Sequence, residues 1–222
     1  MLTQRQILDQ SQRLAIAEII TEKLDYIVVS DAKHFQFAKS DGQPLDILAP
    51  PIAGIETDGF RVKLVKSRLH GHLTEEALFI EEGLRSIPLS KFLPSTEPGS
   101  DLEVDVPSPT NQLIMKLFAF NDRNEGDRRD MERAQAQAWD IYIVVMLADR
   151  NDYKEGRAFL DKHHDSEIVK TARSIVGNSF QAIGQEGWQR VLEASAFYPN
   201  LSRTERESML EKAARRLAQW FE

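Results

Sequence analysis

The 222 residues contain no cysteine. That excludes disulfide staples, thiolate nucleophiles and Cys-ligated zinc together. Long apolar runs are missing as well. The longest, Ile141 to Ala148, is too short to span a bilayer and is interrupted by Tyr142. The opening MLTQRQILDQ has no basic segment leading into an apolar one, so no signal peptide is expected. There is no excess of positive charge: 28 Lys and Arg stand against 35 Asp and Glu, a net charge of −7. This argues against a general nucleic-acid coat protein and leaves room for a local basic groove. The G-x-S-x-G elbow, the P-loop and G-x-G-x-x-G are all absent. The expected class is a soluble, intracellular, cytoplasmic protein without a membrane partner.

What is present is enough for a folded core. Hydrophobic residues make up 41% of the chain and the 28% charged residues are spread along it, unlike a disordered chain. Gln4 to Leu24 reads as an amphipathic helix. Strand signals follow at Tyr26–Val29, His34–Ala38, Pro44–Ala49, Phe60–Val65 and Leu102–Val106, with Asp41-Gly42 as a hairpin turn. Leu73 to Phe92 fits helix or strand equally, and Pro94 to Ser100 reads as a loop. The character changes at Ser108-Pro109, a helix start with Ser at the N-cap and Pro at the first helical position. Helices are predicted near 109–121, 127–149, 152–163, 166–178, 185–195 and 203–221. Ser202-x-x-Glu205 forms a capping box for the last. The expectation is an α+β fold: a partial mixed sheet over 1–107, then a helical bundle over 108–222.

The pattern most suggestive of chemistry begins at the helix start. Lys116 and Arg123 are seven residues apart and so share a helix face. On the next predicted helix, Asp130, Arg133, Gln137 and Asp140 fall on one stripe at about 100° per residue. A polar stripe between apolar helices has two readings: a buried ion-pair network joining the helices, or a ligand site open to solvent.

A strand, then Ser/Thr-Pro, then a helix carrying K-L-x-A and an Arg, then R/K-D and D-I-Y, resembles the second half of AbiEii/AbiGii-type nucleotidyltransferases. Here those elements are Val106 to Arg123, Arg128-Arg129-Asp130 and Trp139-Asp140-Ile141-Tyr142. The strand Pro44-Leu45-Asp46-Ile47-Leu48 resembles the one carrying that superfamily's third carboxylate, which would be Asp46, the catalytic candidate. The resemblance implies phosphate contacts from Lys116 and Arg123, with Asp130 and Asp140 holding those cations in place. It implies Mg²⁺ as cofactor, a nucleoside triphosphate and a tRNA acceptor as partners, and a toxin's cognate antitoxin. The superfamily's Gly-Ser turn and Asp-x-Asp strand are not among the 222 residues. The chain alone is therefore expected to be catalytically incomplete, with Mg²⁺ not bound by it alone, or else to be a non-catalytic nucleotide-, RNA- or protein-binding module. Gly99-Ser100 and the acids of Asp101 to Asp105 lack the spacer helix that this motif needs. Strands missing ahead of Gln4 would leave a sheet edge, which invites a homo-oligomer.

Other clusters have plainer readings. His70-Gly-His72 has no visible third ligand and reads as surface. His163 and His164 suit a helix C-terminus, with Asp165 able to cap the next helix. Arg203, Arg206, Lys212, Arg215 and Arg216 read as a solvated face laced with Glu205, Glu207 and Glu211. Trp139, Trp188, Trp220, Phe197 and Tyr198 read as core.

Overall fold

The computed structural model describes residues 18–29, 35–51, 57–58, 61–62, 71–91, 103–124 and 130–222. The predicted helix over residues 4–17, His34, His70, most of the strand at 60–65, the loop at 94–100, Gly99 to Leu102, and Arg128-Arg129 lie outside the described residues. The fold is α+β. The chain divides into two compact units, Met1–Glu81 and Glu82–Glu222.

In the first unit a π-helical turn, Ile19–Lys23, precedes strands β1 (Ile27–Val28), β2 (Gln36–Ala38) and β3 (Pro44–Asp46), which pair antiparallel in that order. Gly42, at φ 86°, closes the β2–β3 hairpin, and its N–H donates to the Lys39 carbonyl at 2.9 Å. A positive φ here is what Asp-Gly supplies. The predicted strand Pro44–Ala49 is split at Ile47. The Ile47 N–H donates to Phe35 O, and its carbonyl accepts from His72 N, both at 2.8 Å. Beyond it, β4 (Leu48–Ala49) leaves the hairpin and pairs parallel with β7 (Gly71–Leu73). That strand also pairs with β6 (Arg61–Val62), and β6 in turn with β5 (Thr57–Asp58). The described strands thus form small sheets rather than one continuous sheet. Gly71 makes the β4–β7 approach possible, since a Cβ there would stand 2.6 Å from the Ala49 Cβ. Ile20, Phe37 and Ile47 form this unit's small core.

The second unit opens with the antiparallel hairpin β8 (Arg85–Pro88) and β9 (Glu103–Val106). Six helices follow: α1 (Pro109–Asn124), α2 (Met131–Leu147), α3 (Arg150–Lys162), α4 (Glu167–Ser179), α5 (Glu186–Glu193) and α6 (Arg203–Phe221). The unit boundary precedes the hairpin, whereas the sequence places it at 107/108. The hairpin belongs with the helices because Arg85 reaches Asp152 and Glu155 on α3, and Asn111 Nδ2 donates to Glu82 O at 2.9 Å. The ambiguous Leu73–Phe92 stretch becomes two 3₁₀ turns, Glu75–Ala77 and Leu89–Lys91, with β8 between them.

Caps set the helix starts. Ser108 Oγ accepts the Asn111 N–H at 3.2 Å, and Ser202 with Glu205 completes the predicted capping box. Asp149 and Asp152 form a second capping box, at α3. Asp165 does not cap α4. It pairs with His164 at 3.2 Å, and Ser166 occupies the N-cap position.

Leu113, Ile114, Leu117 and Phe120 on α1 meet Ala134, Ala138, Ile141, Tyr142 and Val145 on α2 in one apolar core. The two alanines keep that face of α2 shallow, which suits close helix packing. Trp188 and Trp220 are fully buried and both indole N–H groups are satisfied, by Phe180 O at 2.6 Å and Thr110 Oγ1 at 3.2 Å. Tyr198 departs from the expected core role. It is 41% exposed, at φ 43°, with its hydroxyl 3.4 Å from that of Tyr142. Burial and the Tyr198 phenol both raise the Tyr142 pKa.

Candidate functional site

The α1–α2 pair carries four of the five candidates. Lys116 projects from the middle of α1, and its Nζ lies 2.6 Å from an Asp140 carboxylate oxygen on α2. Their side chains are 37% and 42% exposed. This is a solvent-open contact rather than a buried network. A cation in such a place keeps water on its free side and can exchange one anionic partner for another.

Arg123 and Asp130 meet differently from the facing-stripe expectation. The Asp130 N–H donates to the Arg123 carbonyl at 3.0 Å. The predicted helix at 127 is first described at Met131, so Asp130 is the N-cap of α2 and not a member of its face. Its carboxylate accepts the Arg133 N–H at 3.1 Å and pairs with the Arg133 guanidinium at 3.3 Å. Capping accounts for this acid, because an N-cap oxygen satisfies a helix-start N–H. Gln137, one turn before Asp140, buries its Oε1 without a hydrogen-bond partner.

Asp46 ends β3 in the first unit, opposite Gln36 and half-buried. Among the described residues no group of three or more His, Asp or Glu side chains could hold a metal ion. The acids of β9 have a local role too: Asp105 accepts from the Ser86 hydroxyl across the hairpin at 2.5 Å.

A second charged cluster, not anticipated from the sequence, lines a cleft of about 270 Å³ between the hairpin, the start of α1 and α3. Arg85 bridges Asp152 at 2.5 Å and Glu155 at 3.0 Å. The Asp152 hydrogen bond raises the Arg85 pKa, against the opposing effect of burial. Glu82 takes Lys162 at 2.8 Å and His163 at 3.0 Å. Burial pushes the Glu82 carboxyl up, yet the hydrogen bonds from Lys162 and His163 outweigh it and hold the pKa below the usual value. With every cation here matched to an acid, the cluster holds the hairpin to α3.

The C-terminal basic face is also corrected in part. Arg203 pairs with Glu207 at 2.8 Å, as a solvated face would. Arg216 instead turns inward, donating to Tyr153 Oη and Met146 O at 3.0 Å and to Ala148 O at 2.5 Å. It closes the C-terminal carbonyls of α2, where a cation suits the helix dipole. No family model matches the chain, and no curated protein or solved structure matches it.

Proposed function

We propose that this chain is a nucleotidyltransferase-like protein of the AbiEii toxin type that holds the phosphates of a nucleoside triphosphate on its α1–α2 pair. The observation that carries this reading is the solvent-open Lys116–Asp140 contact. Asp140 orients the ammonium without enclosing it, so an incoming phosphate can take the free side. Arg123 stands two turns farther along α1, about 10 Å down the axis, as a second fixed cation for a polyphosphate. No transfer step is assigned to these residues. Asp46 belongs to no metal-holding group among the described residues, and the 222 residues hold no Asp-x-Asp pair after a Gly-Ser turn. A tRNA acceptor and a cognate antitoxin go with the resemblance and are part of the same proposal.

The second reading is a non-catalytic nucleotide-, RNA- or protein-binding module, and the open Lys116–Asp140 contact also suits it, since it can hold an anion without any transfer step. Two measurements divide the possibilities. Labelled ATP and GTP should bind the wild-type chain and bind Lys116→Ala at least about tenfold more weakly, the loss of one charge-assisted contact. Incubation with Mg²⁺, labelled nucleoside triphosphates and total tRNA should leave the tRNA unlabelled. Label that appears with wild type and vanishes in Asp46→Ala restores a catalytic role. A wild-type chain that binds no nucleotide overturns the proposal.

A further inference from the structure

Helix α3 engages Asp152 and Glu155 with Arg85 and Lys162 with Glu82, and leaves three other cations without an ion-pair partner among the described residues. Asp149 accepts the N–H groups of Asn151 and Asp152 at 2.7 and 2.9 Å. Asp152 is bound by Arg85 and by the Asp149 N–H, and Glu155 by Arg85 and the Asn151 amide. Arg150, Lys154 and Arg157 are exposed, and none has an ion-pair partner among the described residues. Elsewhere in this unit Lys170 pairs with Glu167 on α4 and Arg203 with Glu207 on α6, whereas Lys212 and Arg215 of α6 are exposed and, like the α3 row, have no ion-pair partner among the described residues.

The three cations form one row. Steps of four and three residues keep them within an arc of about 60°, at about 6 and 10.5 Å along the axis from Arg150. Arg150 is the first residue of the helix, where the macrodipole disfavours a cation. The Asp149 and Asp152 carboxylates cap the N–H groups at this end of α3, so the Arg150 guanidinium, and not the dipole, is what an arriving anion meets. An open depression of about 830 Å³ runs along the row and has all three cations on its lining.

We propose that this row binds the phosphate backbone of a nucleic-acid duplex, without sequence preference. The argument is charge complementarity: fixed cations in a line over about 10 Å match a surface that carries regularly repeated negative charge. Base stacking is not available on the row, because the Tyr153 ring beside it packs on Trp220 at 4.7 Å and its hydroxyl is bound to Val145 O and Arg216. Recognition therefore falls on the backbone, which a duplex presents on its outside. Asp161, exposed on the same lining one turn past Arg157, limits the affinity. The surface stands on α3 alone and does not depend on the role given to Lys116.

The test is fluorescence anisotropy of the full chain with a labelled 20-base-pair mixed-sequence RNA duplex and its DNA counterpart, from about 50 to 200 mM salt. Both duplexes should bind, with affinity falling as salt rises. The triple variant Arg150→Gln, Lys154→Gln, Arg157→Gln should lose at least about tenfold in affinity at the lowest salt and lower the log–log salt slope by about 2 to 3, the loss of three phosphate contacts. Asp161→Asn should bind more tightly than wild type. The triple variant's melting temperature should match or exceed that of wild type, which separates lost contact from lost fold. Lys116→Ala should leave duplex binding unchanged, so this surface and the nucleotide reading fail independently. No duplex binding by wild type at the lowest salt, an unchanged salt slope in the triple variant, or tighter binding to an acidic peptide or anionic vesicle than to the duplex would each overturn the proposal.

Discussion

Lys116 and Arg216 are both cations at helix contacts of the same unit, yet their surroundings differ. Lys116 has one acid and keeps much of its surface in water. Arg216 has a hydroxyl and two backbone carbonyls at the end of α2, on a half-buried side chain that also lies over the Tyr153 ring. The difference in partners separates a group that can be exchanged from one that cannot. A carboxylate in solvent can be replaced by a phosphate with little rearrangement. Carbonyls at a helix end are left without a donor when the guanidinium leaves, and a buried acceptor without a partner is costly. The contrast also explains why a basic C-terminal segment is a poor guide to a binding surface here.

The strongest way to break the comparison is Arg216→Ala. Loss of three hydrogen bonds from a charged donor and of the ring contact should destabilise the second unit by about 2–4 kcal/mol, measured by urea denaturation. A loss below about 1 kcal/mol would mean that water replaces the guanidinium freely, and the contrast with Lys116 would collapse.

Gly156→Ala follows in size. Gly156 lies on α3 where a Cβ would fall 2.6 Å from Thr110 Oγ1 and would overlap the Trp220 indole. The Trp220–Thr110 hydrogen bond crosses this spot. Ala is the better helix former by about 1 kcal/mol, but overpacking a buried site costs about 1–3 kcal/mol. Trp220 is fully buried with the Tyr153 ring beside it, so it has little room to withdraw and destabilisation should win. The melting temperature should fall, and tryptophan fluorescence should shift to longer wavelength if the indole becomes wetter.

The Glu82 cluster gives a pH-dependent effect. Against the upward push of burial, the hydrogen bonds from Lys162 and His163 hold its folded pKa below the ordinary carboxylate value. A depressed carboxyl contributes stability that is fully present above its unfolded pKa and is lost as pH falls through the folded value. Acid titration of wild type should therefore show stability declining from about pH 4.5 downward. Glu82→Gln should flatten part of that decline while leaving stability at pH 7 lower. Identical acid profiles for the two proteins would remove Glu82 from the hairpin's attachment.

These cases show what the sequence could disclose. Helices were legible because their signals are local. Apolar residues repeat at helical steps, and Ser108-Pro109 and Ser202-x-x-Glu205 mark starts with their own side chains. The facing positions of Lys116 and Asp140 follow from the same periodicity. Asp130 was misplaced by one structural role, since a start four residues too early turns a cap into a face residue. The sheets were less legible because pairing is non-local. Nothing near Ile47 announces that the strand changes partner there, and the parallel pairing of Leu48–Ala49 with Gly71–Leu73 depends on a glycine more than twenty residues away. The ion pairs of Arg85 with α3 and the hydrogen bonds of Arg216 to Tyr153 and to the end of α2 join residues more than sixty positions apart, which no spacing rule reaches.

Lys116→Ala is the smallest expected change in stability, and it sharpens the comparison most. Both partners of the Lys116–Asp140 pair are more than a third exposed, and an ion pair in that setting contributes about 0–1 kcal/mol. Removing the ammonium frees Asp140 to water rather than stranding it. The cost of an uncompensated buried charge, about 3–5 kcal/mol, therefore does not apply. Denaturation of Lys116→Ala should reproduce the wild-type midpoint to within about 1 kcal/mol, whereas Arg216→Ala should not. Thermal melts with saturating ATP add the functional half of the comparison. Ligand that binds only the folded state raises the midpoint, by about 2.7 kcal/mol at a hundredfold excess over the dissociation constant. That increment should appear in wild type and shrink in Lys116→Ala, although the two proteins unfold alike without nucleotide. A large loss of stability in Lys116→Ala, combined with no ATP effect on wild type, would make the pair a structural brace and refute the ligand site.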